Sequence, residues 1–353
     1  MKIIFIVPSM SGGGAERVVS ILANEFVNRN IETKILMTAG NECVYKLDPR
    51  IELFQAGVRT GGSILKRIQR VVHMRQFFKK HRDAILIAFE SDAAFFSCIA
   101  KAGLSIPLIS SERNDPASFG NNRIREFAYA HSDRIVFQTP GAKAYFPVKI
   151  QQKGYVIENP VADGLPLPYF GNRKKTVACV GRLEKQKNHM LLFKAFAKLV
   201  SQYPDYTLHL YGKGSLESEL REFVNRIGMK EKVIFEGFEK NVLAKIIDAG
   251  MFVLSSDYEG ISNSLLEAMA IGLPVISTDC PCGGSGMCIQ NGVNGYLVPV
   301  GDEAALADAM MRIAGDEETA AGLGKEAAKI RDSFSTQNIV GKWIEVLAEL
   351  KNN

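Results

Sequence analysis

SSDYEGISNSLLEAMAIGLPVIST, residues 255–278, follows the apolar run Met251-Phe252-Val253-Leu254 and decides how the chain is read. The apolar run predicts a buried strand. Residues 260–264, Gly-Ile-Ser-Asn-Ser, form a short polar loop. Helical patterning over 265–271 stops at Gly272-Leu273-Pro274, and a second strand follows at 275–277. Strand, loop, helix and strand make one repeat of a parallel α/β sheet. Such sheets bind ligands outside the carboxyl ends of their strands, and a helix N-terminus attracts anions through its N–H groups and dipole. Glu259 precedes the helix and Glu267 lies about one turn inside it. Two carboxylates thus flank an anion-binding turn, which suits a ligand combining a diphosphate with hydroxyl-rich sugars. A plainer reading stays open: Ser264-Leu265-Leu266-Glu267 has the spacing of a capping box, and Glu259 could be a solvated loop acid.

A chain of 353 residues exceeds one compact core and predicts two domains. Its 46% hydrophobic content and mean hydropathy near zero are those of a globular protein. No apolar run reaches ~18 residues, so no membrane span is expected. The start, MKIIFIVPSM, reads as a first strand rather than a signal peptide. Six cysteines without framework spacing predict a reducing compartment. The net charge of +5 is unevenly spread. Residues 64–82 carry Lys66, Arg67, Arg70, Arg75, Lys79, Lys80 and Arg82 without an acid, interleaved with apolar residues at helical spacing. Such a helix can rest on an anionic membrane surface or cover a sheet with a solvated basic face. No nucleic-acid motif accompanies the charge, so no nucleic-acid partner is expected.

Working outward, residues 2–7 form a continuous apolar strand, and a helix ending near Asn28 follows the glycine turn 11–17. Further strands are expected near 32–38, 51–54, 84–89, 107–111, 134–138 and 155–157, with helices between several of them, which implies a parallel sheet covered on both faces. Residues 161–175, with Gly164, Pro166, Pro168 and Gly171, read as a linker. A second αβ series starts at 176–180 and runs through the organising stretch. Helices are expected at 303–315, 317–333 and 336–350, the last carrying Trp343, the only tryptophan. The domains are therefore placed at 1–165 and 166–335, with 336–353 as a terminal helix.

Four turns carry chemistry. Gly12, Gly13 and Gly14 between a strand and a helix allow close backbone approach to a ligand. The spacing is not G-x-G-x-x-G, which argues against a nicotinamide or flavin dinucleotide. Gly181-Arg182-Leu183-Glu184-Lys185-Gln186-Lys187-Asn188 places Arg182 and Lys187 at a strand mouth. A departing diphosphate needs positive charge there, and charge-assisted hydrogen bonds contribute roughly 1.5–3 kcal/mol each. Gly212 and Gly214 mark a third strand end, and the Glu259/Glu267 turn is the fourth. Convergence at one sheet edge is a stronger signal than any one turn. No metal is expected: the chain lacks an Asp-x-Asp pair, and Cys280, Cys282 and Cys288 have the wrong spacing for zinc. His131, His189 and His209 read as structural or surface residues.

The glycine loop Gly13-Gly14-Ala15-Glu16-Arg17, the Gly181-Arg182-(x)4-Lys187 turn, Gly212-x-Gly214 and Glu259-(x)7-Glu267 together resemble family 4 of the retaining glycosyltransferases. The resemblance spans nearly the whole chain, with the motifs in order. It implies the GT-B fold, two Rossmann-like domains facing across a cleft, with a nucleotide-sugar donor in the C-terminal domain and an acceptor in the N-terminal one. It implies that the last helix crosses back to the first domain. Residue by residue, Arg182 and Lys187 would hold the diphosphate, beside Gly181. Glu259 would contact the donor sugar and Glu267 the ribose. Backbone N–H groups within the turn Ile261, Ser262, Asn263 and Ser264 would add to the phosphate site, the Gly12–14 loop would close over it, and the base would lie near Gly237-Phe238. Many members carry a histidine where this chain has Arg113, in Ser111-Glu112-Arg113-Asn114-Asp115-Pro116. A guanidinium cannot act as a general base; it can orient hydroxyls or stabilise phosphate. Glu112 and Asp115 are candidate acceptor contacts or surface-loop acids.

The expected reaction is transfer of a hexose or N-acetylhexosamine (GalNAc, GlcNAc, Gal or Glc) from a UDP-sugar with retention, without a metal, to a saccharide on a polyprenyl diphosphate. The expected place is the cytoplasm, peripheral on the inner membrane face through residues 64–82. A nucleotide-sugar 2-epimerase and a non-catalytic nucleotide-sugar-binding module are the rival readings.

Overall fold

The structure is a computed structural model and describes residues 1–57, 62–118 and 122–351. The first unit opens with β1 (Lys2–Val7), α1 (Gly14–Asn28), β2 (Glu32–Met37), β3 (Glu52–Gln55) and α2 (Ser63–Lys80). It continues with β4 (Ala84–Phe89), α3 (Ser91–Lys101), β5 (Leu108–Ser111), α4 (Asn122–Ala130), β6 (Arg134–Phe137), α5 (Pro140–Ala144), α6 (Val148–Gln151) and β7 (Gly154–Val156). Its seven strands run in the order β3-β2-β1-β4-β5-β6-β7, every pairing parallel. Side chains of a strand alternate between faces. Ile3, Phe5 and Val7 therefore join the core under α1, together with Phe26, Phe89 and Ile109.

The second unit contains β8 (Lys174–Val180), α7 (His189–Gln202), β9 (Thr207–Tyr211), α8 (Glu217–Arg226), β10 (Val233–Gly237), α9 (Val242–Ile246) and β11 (Ala249–Leu254). Then come α10 (Asn263–Ala270), β12 (Val275–Thr278), α11 (Gly284–Cys288), β13 (Tyr296–Val298), α12 (Glu303–Gly315), α13 (Glu317–Ala327) and α14 (Ile330–Ser333). Six parallel strands run in the order β10-β9-β8-β11-β12-β13. One face of this sheet buries Leu192, Phe193 and Phe196 of α7 with Leu306 and Met310 of α12; the other buries Leu265, Leu266 and Met269 of α10.

The unit boundary falls between Pro160 and Val161, earlier than the 165/166 division expected from composition. The Val161 N–H donates to the Phe334 carbonyl at 2.7 Å and Val161 bridges Ser335, so the start of the linker is already tied to the second unit. The terminal helix α15 (Thr336–Lys351) is part of the first unit, packed against α1; residues 352–353 of the expected 336–353 segment lie outside the described residues. Trp343 is fully buried and stacks on Phe89, centroids 6.1 Å apart. Three smaller differences have local causes. Strand β11 begins at Ala249, which shortens the expected 242–249 helix. The expected 317–333 helix breaks between α13 and α14. The short α11, among glycines, carries no periodic signal.

Trp343→Ala is expected to destabilise the first unit by about 3–5 kcal/mol, read from urea unfolding followed by circular dichroism; a midpoint like that of the parent would contradict its place in that core.

Candidate donor and acceptor sites

A doubly wound sheet has one place where neighbouring strands send their connections to opposite faces. In the second unit this is the gap between β8 and β11. The loop after β8 contains Arg182 and Lys187, and the loop after β11 contains Glu259. The sequence separates these groups widely; the strand order makes them neighbours.

Lys187 Nζ meets Glu259 Oε1 at 2.5 Å, with side chains 12% and 11% exposed. Ser256 Oγ donates to the same oxygen at 2.8 Å. Oε2 accepts no hydrogen bond among the described residues. Lys187 donates to this one carboxylate among the described residues, and its ammonium has three donors. The two loops are laced together. Gln186 Nε2 donates to the Tyr258 carbonyl at 2.9 Å, and Asn188 Nδ2 donates to Asp257 Oδ1 at 2.7 Å. Ser255 Oγ donates to the Lys187 carbonyl at 2.9 Å. Arg182 is exposed, its Nη2 donating weakly to Gln186 Oε1 at 3.4 Å.

Helix α10 starts at Asn263 with Ser262 as N-cap. Ser264 is therefore inside the helix, and the capping-box reading of Ser264 with Glu267 does not hold. Glu267 is buried in the second turn. Ile261 and Ser262 are also buried, while Asn263 and Ser264 are half-buried. From below, Cys282 Sγ donates to the Glu259 carbonyl at 2.7 Å. A Cβ on Gly284 would lie 1.8 Å from the Gly260 carbonyl oxygen, so only glycine lets these loops touch. The thiols of Cys280, Cys282 and Cys288 each face a different backbone carbonyl.

Gly212 and Gly214 have a packing reason. A Cβ on Gly212, whose φ is +149°, would meet the Gly181 carbonyl oxygen at 1.9 Å, and one on Gly214 would meet that of Leu183 at 2.3 Å. These glycines let the β9 loop lie on the β8 loop. The Gly212 N–H donates to the Gly237 carbonyl at 2.7 Å, which sets Phe238, 72% exposed, at the same edge. Two strand spacings, about 10 Å, separate β10 from β8.

In the first unit the corresponding gap lies between β1 and β4. Gly12, Gly13 and Gly14 follow β1, and Tyr45 Oη donates to the Gly13 carbonyl at 2.7 Å. Glu112 needs correcting. It is buried, its Oε1 accepts from the N–H groups of Arg113 and Asn114, and its Oε2 accepts from Tyr129 Oη and pairs with Arg125. It is neither an acceptor contact nor a surface acid but the brace of its own turn, and burial pushes its carboxyl up. Asp115, also buried, accepts from Ala117 N and Ser118 Oγ and braces the same turn. The Arg113 guanidinium lies over Phe89, and burial pushes it down to about 9.

Several participants carry no sequence signal. Ser256, Gln186 and Asn188 stand inside the quoted motifs but act through tertiary pairing. Glu90, at the end of β4, has φ 73° and ψ 155°, a region almost reserved for glycine that costs about 1–3 kcal/mol. His209 pairs with Glu236 at 2.7 Å, and the His131 ring packs tilted against Phe127, centroids 4.2 Å apart.

The family profile described as "Glycosyl transferases group 1" matches residues 174–316. Over its full length the chain is 29% identical to a Campylobacter jejuni enzyme, covering 99% of it. That relative is "GalNAc-alpha-(1->4)-GalNAc-alpha-(1->3)-diNAcBac-PP-undecaprenol alpha-1,4-N-acetyl-D-galactosaminyltransferase". It is 24% identical to the lipopolysaccharide core biosynthesis glycosyltransferase LpsE of Rhizobium meliloti, over 95% of this chain and 96% of that one. Among solved structures, HepE of Anabaena in complex with UDP superposes with a TM-score of 0.82 at 21% identity, covering 99% of this chain and all of HepE.

His189 opens α7 directly behind Lys187, is buried, and has neither ring nitrogen hydrogen-bonded among the described residues; burial lowers its pKa to about 4. The unfolded residue titrates near 6.5, so acid protonates the unfolded chain first. Stability is whole above that value and falls as pH drops toward 4, by about 2 kcal/mol between pH 7 and 5. Urea unfolding at both pH values should show this loss, and His189→Gln should flatten it; an equal slope in both proteins would contradict the burial.

Proposed function

We propose that this chain, which belongs to the group 1 glycosyltransferases and has their GT-B fold, moves a hexose or N-acetylhexosamine from a UDP-sugar to a lipid-linked saccharide. The observation that carries the reading is the Lys187–Glu259 pair at the β8/β11 gap, beside the start of α10. It sets a cation for the diphosphate against an acid for the sugar hydroxyls. The C. jejuni relative, named for a lipid-linked glycan acceptor, supports the acceptor class, and the UDP complex of HepE supports the nucleotide.

In the proposed reaction the bond from the anomeric carbon to the diphosphate oxygen breaks and UDP leaves with the electron pair. Arg182 and Lys187 stabilise the charge that appears on the leaving oxygens, without a metal. Fixed charges of this kind act because they need no reorganisation as the bond breaks. The acceptor hydroxyl bonds to the anomeric carbon on the face the diphosphate leaves, which retains configuration. Its proton passes to the departing phosphate oxygen. Glu259 Oε2 orients the donor sugar, Glu267 the ribose, and Phe238 offers a face to the base.

The enzyme is further proposed to rest on the inner face of the cytoplasmic membrane. No described helix is long and apolar enough to cross a membrane. The first half of α2, however, exposes Ile64 (73%), Leu65, Ile68 and Val72, with Lys66 and Arg67 in the same turns. Arg70 and Arg75 are occupied within the unit, over the Phe96 ring and on the carbonyls of Ala100 and Ala102. An apolar stripe rimmed by free cations fits an anionic lipid surface.

Arg182→Ala should lower turnover about 100-fold, measured as UDP release with a lipid-linked acceptor; unchanged turnover in the folded variant would remove Arg182 from the mechanism. UDP release without acceptor, or epimerised donor, would favour the epimerase reading instead. Lys66→Glu with Arg67→Glu should abolish sedimentation with phosphatidylglycerol vesicles, and undiminished binding would refute the membrane contact.

A further inference from the structure

Phe89 ends β4, Arg113 follows β5 and Trp343 lies on α15, so three elements of the first unit meet at its β1/β4 gap. The Arg113 guanidinium carbon lies 4.5 Å from the centre of the Phe89 ring and 5.6 Å from that of Trp343. Nη1 donates to Asn159 Oδ1 at 3.1 Å, an oxygen that also accepts from Gln138 Nε2 at 2.7 Å. The opposite edge of the guanidinium, Nε with Nη2, is shut off from solvent and has no hydrogen-bond partner among the described residues. The indole Nε1 of Trp343 is in the same state. All three are obligate donors, so no rotation or tautomer lets them satisfy one another. The adjacent carboxylate, Glu112, is spent on its own turn, Tyr129 and Arg125. Arg113 is thus a buried cation with no hydrogen-bonded counter-ion, a costly state for which an anion is the natural remedy.

We propose that the Nε–Nη2 edge of Arg113 and the indole N–H of Trp343 form a receptor for a phosphate group carried by the acceptor. The edge is a fork with the geometry of two oxyanion oxygens. The third donor, from another element, suits an ester or bridging oxygen out of the plane of the fork, which tetrahedral phosphorus has and a flat carboxylate lacks. Arg113 as a residue is only partly buried, so a side-chain shift opens the fork. The identification of the anion rests on the proposed function, in which the first unit takes a diphosphate-bearing acceptor.

Trp343 is the only tryptophan, so its emission reports the site in the full-length chain. Titrations with inorganic pyrophosphate and with a short prenyl diphosphate are run at saturating UDP, which fills the donor site of the second unit. A saturable change in emission is expected, absent with chloride at equal ionic strength. Arg113→Gln should weaken it at least tenfold, and Trp343→Phe, followed by calorimetry, several-fold. Tighter binding of prenyl diphosphate than of pyrophosphate identifies the lipid carrier as the source; equal binding identifies the phosphate group alone. No saturable response in the parent protein, or undiminished affinity in both variants, overturns the proposal. Should Arg113→Gln fail to fold, Trp343→Phe decides. UDP binding is read separately by thermal shift, so its loss strikes the proposed function while the Trp343 signal still decides the anion site.

Discussion

A parallel sheet cannot turn back on itself with a tight hairpin. Each strand must be followed by a crossover, and crossovers keep one hand. A sheet that grows outward in both directions from its first strand therefore leaves one central gap where the loops part. Both units obey this constraint, at β1/β4 and at β8/β11. The candidate residues gather at these gaps because the fold has nowhere else to offer a crevice lined by several strand ends.

Within the second gap, electrostatics and packing support each other. A Lys–Glu pair this little exposed is stable only with further hydrogen bonds on its charges. Ser256 supplies one, and the lacing among Gln186, Asn188, Asp257 and Tyr258 fixes the backbone that presents the pair. The glycines at 212, 214 and 284 remove side chains where loops must touch. Much of what makes this site rigid is thus backbone contact rather than side-chain chemistry.

The strands were legible because continuous apolar runs between turns describe buried parallel strands. Arg182, Lys187, Glu259 and Glu267 were legible because charge at strand ends is costly unless used. The approach of the Lys187 and Glu259 loops was legible too, because both follow strands expected to end at one sheet edge. The contacts from Ser256, Gln186 and Asn188 that fix the pair were not, since tertiary pairing leaves no local mark. Glu112 misled for a related reason: a carboxylate beside a turn looks solvated until Arg125 and Tyr129, distant in sequence, fold over it. The strain at Glu90 was invisible because residue type does not record φ. Helix ends were legible only to within a turn, as Ser262 rather than Ser264 at the start of α10 shows.

The first unit is discontinuous: its sheet is complete by Val156, yet α15 arrives only after the whole second unit. During synthesis the aromatic surface around Phe89 waits without its lid while some 175 further residues, Val161–Ser335, are made. At elongation rates of about 5–20 residues per second, that is an interval of many seconds in which an apolar face is open to chaperones and to other nascent chains. A chain truncated anywhere before α15 would carry that exposed face permanently. Helix α15 therefore acts as a late seal: the core that β1 begins is hidden only after the second unit has been made.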